Sequence, residues 1–196
     1  MICVMNSSAY HRIYMELFFT QQLHIVNWLQ HITLPPFSDQ ISIFFARIFP
    51  WVITVIVTVI AAGYMVQALY TDHIKAFDRF FWAVVIGLVI TAGLSEIIKH
   101  IVGEPRPFLA GAHALYQHGG YDAFPSGHTS LFTALAVGFW YRFRSLGVIL
   151  LFCATIIGLA RVIVGIHWPL DIVGGLILGT VGAWIGNCIS KYLFRN

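Results

Sequence analysis

The chain has 196 residues, of which 59% are hydrophobic and only 10% are charged. With 11 basic and 8 acidic residues, it has too few charged side chains to cover the surface of a soluble protein. The composition therefore excludes an ordinary soluble domain and indicates a membrane protein, and the small net charge of +3 gives no reason to expect a nucleic-acid partner.

The N-terminal stretch HRIYMELFFTQQLHIVNWLQHI alternates apolar residues with polar ones such as Glu16, Gln22 and Asn27. This pattern is typical of an amphipathic helix that lies in the membrane interface. The paired prolines of TLPPFSDQ predict that the helix ends there. We therefore predict an interfacial segment at 1–47 and a membrane-embedded domain at 48–196.

Five apolar runs follow the N-terminal segment, and each predicts a membrane span, since a helix needs about 20 residues to cross roughly 30 Å of hydrocarbon. The third run is short, because even from Ser126 to Tyr141 it would cover only about 24 Å at roughly 1.5 Å per residue. The predicted fold class is all-α, a polytopic membrane helix bundle of about five transmembrane helices plus the N-terminal interfacial helix. The runs are 49–70, 80–98, 129–141, 146–164 and 169–188.

Basic residues indicate the orientation of these spans in the membrane. With the N-terminal segment outside, the cytoplasmic side carries Lys75, Arg79, Arg142, Arg144, Lys191 and Arg195, and the outer side carries Arg12, Arg47, Lys99, Arg106 and Arg161. The excess of basic residues on the cytoplasmic side is modest. It becomes stronger if a function holds Lys99, Arg106 and Arg161 on the outer side.

Titratable residues collect on the outer side, where four predicted spans begin or end with KHIVGEPRPF, PSGHTS, ARVIVGIH and HWPLD. Ionisable side chains within the depth of the membrane are costly in free energy, so a functional site is the first hypothesis for these residues. The candidate residues are Lys99, Arg106, Ser126, His128, Arg161, His167 and Asp171.

Structural explanations exist for some of these residues. Lys99 and Arg106 can also be interface anchors whose charged ends reach the headgroups, and a lone histidine such as His128 is more often a core residue than a catalyst. The pair His167 and Asp171 favours chemistry, because residues four apart share a helical face and the carboxylate can accept the imidazole N–H.

The PSGH stretch predicts an anion site. Pro125 and Gly127 favour a turn, and Ser126 is suited to the N-cap of the next helix. The free N–H groups of Ser126 and Gly127 would then point at an anion in front of the helix. Three cations from neighbouring helix ends complete a site suited to phosphate, and they are Lys99, Arg106 and Arg161.

The two histidines suggest how a phosphate ester would be cleaved. His167, oriented by Asp171, has a free lone pair with which to attack phosphorus and form a phosphohistidine. His128 would protonate the departing oxygen and then activate water. The two rings must hold opposite protonation states at rest, which is typical of an acid and nucleophile pair.

Together these residues resemble the signature of the type 2 phosphatidic acid phosphatase (PAP2) superfamily, which shares its site with vanadium haloperoxidases. The family pattern is Lys, six residues, Arg-Pro; then Pro-Ser-Gly-His; then Ser-Arg, five residues, His, three residues, Asp. The chain matches at Lys99, Arg106–Pro107, Pro125–His128, and 161–171, over roughly residues 80 to 190. It departs at Ala160, where the family usually has Ser, and Glu104 looks unusual beside Arg106.

The resemblance implies a metal-independent lipid phosphatase with no cofactor, in the bacterial inner (cytoplasmic) membrane, with its site facing the periplasm or exterior. Its five spans and interfacial helix are most similar to undecaprenyl diphosphate phosphatases, which recycle the cell-wall carrier lipid. Phosphatidic acid, phosphatidylglycerol phosphate and lipid A phosphate stay open as substrates, and the roles of Glu96 and Glu104 are not assigned.

Two hypotheses of other classes remain. A small membrane transporter would also place charges at membrane depth, although the chain lacks the repeated halves with paired broken helices that transporters usually have. A metal site would have to draw on His100, His113, His118 and His128, whose spacings match no common ligand set.

Two further patterns are structural. The glycine spacings of GGLILGTVGAWIG favour close helix packing within a monomer over a homodimer. Tryptophans near the ends of the spans predict an aromatic belt at the membrane surfaces, and they are Trp51, Trp82, Trp140 and Trp168.

Overall fold

A computed structural model describes residues 7–32, 37–71, 73–116 and 119–195. Within these residues the chain is helical and forms no strand. The helices are α1 (Ser7–Ile32), α2 (Phe37–Ile43), α3 (Phe49–Tyr70), α4 (Ile74–Val102), α5 (Gly127–Trp140), α6 (Arg144–Ile163) and α7 (Pro169–Leu193). A π-helical segment, Phe44–Ile48, joins α2 to α3, and a 3₁₀ turn, Pro107–Ala110, follows α4. The predicted all-α fold class is confirmed.

Four helical stretches are long and apolar enough to cross a membrane, namely Ser38–Tyr70, Ile74–Ala110, Arg144–Ile163 and Pro169–Leu193. The first is longer than the predicted run at 49–70, because α2 and the π-helical segment continue into α3. This continuous helix crosses the predicted boundary between 47 and 48. The division of the chain at that position stays a prediction.

The third predicted span is α5, which has only 14 residues and is the short helix that the sequence predicted. It packs against α4, α6 and α7, and most of its side chains are buried. At about 1.5 Å per residue it covers roughly 21 Å of a hydrocarbon layer about 30 Å thick. Longer helices enclose α5, and the position of one of its ends below the membrane surface stays a prediction.

Glycines of α7 allow this enclosure. Gly175 lies against the α5 backbone, where an added Cβ would be 3.0 Å from the Ser126 carbonyl oxygen. On another face of α7, a Cβ at Gly186 would be 2.5 Å from the Ala83 carbonyl oxygen of α4. The prediction that the glycines serve packing within the chain is confirmed, and the choice between monomer and homodimer stays a proposal.

Tryptophan exposure agrees with the predicted belt at three positions and contradicts it at one. Trp51, Trp82 and Trp140 are exposed, as membrane-surface residues should be. Trp168 is 0% exposed, and its indole Nε1 donates a hydrogen bond of 2.7 Å to the Pro105 carbonyl. The belt assignment is therefore wrong for Trp168. Its hydrogen bond instead links the connection before α7 to the connection after α4.

Helix α1 packs over the connections between helices at the end of the bundle where Trp168 contacts Pro105. Its buried face carries Val26 and Gln22, whose side-chain oxygen accepts the Leu170 N–H at the start of α7. The Gln30 amide donates to the carbonyls of His113 and Ile163. Another face carries exposed apolar side chains, Leu17, Ile25, Trp28 and Ile32. These two faces suit an interfacial helix, whose position in a membrane stays a prediction.

Candidate active site

The ends of α4, α5, α6 and α7 meet at one place, as the sequence predicted. Lys99, in the last turn of α4, lies beside the start of α5, because a Cβ added at Gly127 would be 3.3 Å from Lys99 Nζ. The Ser126 amide donates a hydrogen bond of 3.0 Å to the Asp171 carbonyl of α7. The connection from α6 to α7 places His167 in the same group.

His167 and Asp171 form a buried pair. His167 Nδ1 lies 3.0 Å from Asp171 Oδ2, and the two side chains are 2% and 0% exposed. The same oxygen accepts the Trp168 N–H at 2.8 Å, which fixes the carboxylate at the start of α7. With Nδ1 donating to the carboxylate, the network assigns the free lone pair to Nε2. That nitrogen has the electron pair that a nucleophile requires.

The environment of His167 favours a neutral ring. Burial lowers the pKa of His167 well below its usual value, and the positive charges of Arg161 and Arg106 lower it further. A neutral imidazole keeps its lone pair at pH 7, whereas an imidazolium has none to donate.

His128 begins the first turn of α5, is half-buried, and lies near enough to His167 for its charge to lower the pKa of that ring. The first backbone N–H groups of a helix have no partner within the helix. The N–H of Gly127, the first residue of α5, is therefore suited to an anion placed between the two histidines.

Arg106 is a buried cation with three structural bonds. Its Nε and Nη2 donate to the two oxygens of Asp122 at 2.9 and 3.1 Å, and Nη1 donates to the Ile166 carbonyl at 2.9 Å. Since guanidinium has five N–H donors, two remain for an anion. The Arg106 hydrogen bonds also lower the pKa of Asp122 to about 2, so this carboxyl is charged at neutral pH.

Asp122 was not among the predicted site residues. It lies in the irregular connection before PSGH, 16 positions from Arg106, and it also accepts the Gly120 N–H at 3.0 Å. No periodic pattern relates residues of a long loop, so the pairing left no signal in the sequence beyond the presence of a carboxylate.

The prediction for Ser126 is partly wrong. Ser126 occupies the N-cap position of α5, as predicted, but its side chain makes no capping hydrogen bond. Its N–H donates to the Asp171 carbonyl, so this amide is not available to a phosphate. The buried Ser126 Oγ accepts a hydrogen bond of 3.0 Å from Thr129, which leaves the hydroxyl proton as its donor.

The two other predicted cations come from different helices, Lys99 from α4 and Arg161 from α6. Lys99 pairs with exposed Glu96 at 2.9 Å, while its own side chain is only 16% exposed. Arg161 Nη1 donates to the Ala46 carbonyl of the π-helical segment at 3.1 Å. Arg161 Nε is buried, and no hydrogen-bond acceptor reaches it in the part of the chain that the structure describes. A buried donor of this kind is suited to a bound anion.

The metal hypothesis gains no support from the described residues, which contain no group of three His, Cys, Asp or Glu side chains arranged to hold a metal ion. Of its four histidines, His100, His113 and His128 are described and form no such group. His118 lies outside the described residues.

Comparisons with known proteins give a family match and several relatives. A family model described as the PAP2 superfamily matches residues 80–195. The chain is 36% identical over 113 residues to an Escherichia coli protein named "Putative undecaprenyl-diphosphatase YbjG", covering 56% of this chain and 54% of that protein. It is 33% identical over 124 residues to a lipid A 1-phosphatase of Rhizobium johnstonii, covering 60% and 47%. A third relative, undecaprenyl-diphosphatase BcrC of Bacillus subtilis, is 34% identical over 98 residues, covering 48% and 51%.

The chain thus spans about half the length of the relatives it matches. Among solved structures, Aquifex aeolicus LpxE superposes with a TM-score of 0.62 at 20% identity, covering 84% of this chain and 93% of that chain. A PAP2-type phosphatidylglycerolphosphate phosphatase from Bacillus subtilis gives 0.60 at 16% identity, covering 94% and 98%. These two likenesses establish the fold.

The neutral state of His167 can be measured by its titration. Its lowered pKa means that the ring takes up a proton only at a pH below its usual value of about 6.5. We expect the ¹⁵N signals of His167 in detergent micelles, assigned from the spectrum of His167→Gln, to show a neutral ring protonated at Nδ1 at pH 7. The titration midpoint should lie below 6.5. A midpoint above that value would show that the Asp171 charge outweighs burial and the neighbouring cations.

Proposed function

The chain belongs to the PAP2 superfamily, and we propose that it is a membrane phosphatase that hydrolyses a lipid phosphate or diphosphate through a phosphohistidine. The observation that carries this proposal is the buried contact between His167 Nδ1 and Asp171, beside Lys99, Arg106 and Arg161. It supplies a neutral nucleophile next to cations that suit a phosphate.

In the first step, the Nε2 lone pair of His167 forms a bond to phosphorus while the bond from phosphorus to the lipid oxygen breaks. His128 donates a proton to the departing oxygen, so a neutral lipid alcohol or a lipid phosphate leaves. His167 becomes positively charged as the bond forms, and Asp171 stabilises that charge through Nδ1–H.

In the second step, His128, now neutral, takes a proton from water as the water oxygen attacks phosphorus. The bond from phosphorus to His167 breaks, its electron pair returns to Nε2, and inorganic phosphate leaves. His128 ends protonated and His167 neutral, which restores the starting state. Neither step needs an electron donor or a metal ion, and we propose that the enzyme is metal-independent and has no cofactor.

The phosphoryl oxygens would bind to the donors that the structural bonds leave unused. These are two N–H groups of Arg106, the buried Arg161 Nε, the Lys99 ammonium and the Gly127 N–H at the start of α5. Such donors, placed before the reaction, stabilise the charge that develops on the transferring group. Ser126 would contribute through its hydroxyl proton, because its amide is already bonded.

For the lipid, we propose undecaprenyl diphosphate, which would yield undecaprenyl phosphate for cell-wall carrier recycling. Two of the relatives named above support this choice by their names. Lipid A phosphate is the second candidate, because another relative is a lipid A 1-phosphatase. Phosphatidic acid and phosphatidylglycerol phosphate belong to the same test.

We propose that the protein lies in the bacterial inner membrane with this site facing the periplasm or exterior. The opposite end of the bundle carries Arg79, Arg142 and Lys191 around a cavity of about 300 Å³. Basic residues at the cytoplasmic ends of spans favour that orientation.

Phosphate release from purified lipids tests the function. In detergent with excess EDTA, we expect the protein to release phosphate, fastest from undecaprenyl diphosphate. His167→Ala should lower kcat by at least about 1,000-fold, because it removes the nucleophile. His100→Ala is the matched control, since this exposed histidine lies on α4 near the site and should leave kcat unchanged.

Different results of the phosphate-release assay would contradict different parts of the proposal. Activity that EDTA abolishes and a divalent ion restores would contradict metal independence. A faster reaction with lipid A phosphate would replace the proposed lipid and keep the reaction class. No release from any of the four lipids would contradict the phosphatase proposal itself.

Cysteine labelling tests the orientation. With Cys3, Cys153 and Cys188 replaced by serine, Tyr121→Cys and Ser145→Cys place single thiols at exposed positions near the site and at the opposite end. In intact cells, an impermeant thiol reagent should label Tyr121→Cys, and it should label Ser145→Cys only after the membrane is opened. The reverse pattern would contradict a site on the outer side.

A further inference from the structure

One carboxylate oxygen of Asp171, Oδ1, has no role in the mechanism proposed above. Oδ2 accepts from His167 and Trp168, whereas Oδ1 is buried and no donor reaches it in the described residues. A buried carboxylate oxygen without a donor costs free energy and leaves the carboxylate less firmly oriented. Since Asp171 orients His167, the surroundings of Oδ1 bear on the nucleophile.

Another carboxyl, that of half-buried Glu104, lies beside Asp171, and the two side chains interact. A firm backbone framework places it there. The Glu104 carbonyl accepts the Ala123 N–H at 3.1 Å, and the next carbonyl, of Pro105, accepts the Trp168 indole N–H at 2.7 Å. These bonds come from two different connections, so the backbone beside Glu104 is held from two sides.

Two ionised carboxylates only accept hydrogen bonds and repel each other, so a contact between them requires a proton on one. We propose that Glu104 and Asp171 share one proton, and that the Glu104 carboxyl thereby supplies the missing donor to Asp171 Oδ1. Glu104 is a positioning residue in this arrangement, since it acts on His167 through Asp171. The inference rests on the proposed phosphatase function.

The shared proton keeps one negative charge on the pair. Asp171 then retains the charge that stabilises the imidazolium of the first step, while the second carboxyl adds no repulsion near the phosphate. The other charged or titratable groups around the pair are His167, Arg106, Arg161, Lys99 and His128. Of these, Arg106, Arg161 and Lys99 supply the positive charge of the resting site together with protonated His128, and a second ionised carboxylate would offset part of that charge.

Kinetics of Glu104 variants test the inference. Glu104→Ala removes the donor, and we expect kcat to fall about tenfold with KM within about twofold of wild type, since the substrate contacts remain. Glu104→Gln should restore kcat, because its amide N–H can donate to Oδ1 without a shared proton. Asp78→Asn is the matched control, a carboxylate at the opposite end of α4 that should leave kcat unchanged.

Infrared spectroscopy gives a readout that does not depend on activity or on the Ala variant. At neutral pH, the wild-type protein should show the carbonyl stretching band of a protonated carboxylic acid. Glu104→Gln and Asp171→Asn should each lose that band, because each removes one member of the pair. Asp78→Asn should keep it.

Three results would overturn the inference: full activity of Glu104→Ala, equal impairment of the Ala and Gln variants, or an acid band that persists in Glu104→Gln. A wrong assignment of the phosphatase function would give a different set of results. In that case the wild-type protein releases no phosphate from any lipid, while the infrared band still reports whether the two carboxyls share a proton.

Discussion

The buried guanidinium of Arg106 is the constraint on which the site depends. It joins the connection after α4 to Asp122, before α5, and to the Ile166 carbonyl, before α7. Asp122 already pairs with this buried cation, and the two N–H donors that remain can bind a second anion. The same residue therefore links two connections, that between α4 and α5 and that between α6 and α7, and keeps two donors for an anion such as phosphate.

The packing of the helices sets the depth of this site. Helix α5 is short, its neighbours are long, and the glycines of α7 let α5 approach closely enough to stay enclosed. We therefore propose that the PSGH turn lies below the membrane surface. Helix α1 then covers the connections through Gln22 and Gln30. A lipid headgroup can reach a site at this depth while its tail stays in hydrocarbon, which suits the proposed substrates.

Local patterns in the sequence predicted the helices and most of the site. Apolar runs predicted the helices, although among the described residues only four of the resulting stretches are long enough to span a membrane. The spacing of His167 and Asp171 predicted their contact for a reason that was wrong, because His167 lies before Trp168, the N-cap of α7, and not on a shared helical face. Features that depend on how separate segments meet were missed or wrong. The pairing of Arg106 with Asp122, the bond from the Ser126 amide to Asp171 and the burial of Trp168 all arise from loop positions that no periodicity encodes.

The most direct test of the account is whether His167 becomes phosphorylated. His128→Ala should still accept phosphate from an activated ester whose leaving group needs no proton, and it should then hydrolyse the intermediate slowly. Rapid quenching with a radiolabelled ester, kept alkaline because phosphohistidine is acid-labile, should trap label on His167 in this variant and none in His167→Ala. A labelled phosphoenzyme that persists in His167→Ala would contradict the account, because the nucleophile would then be another side chain.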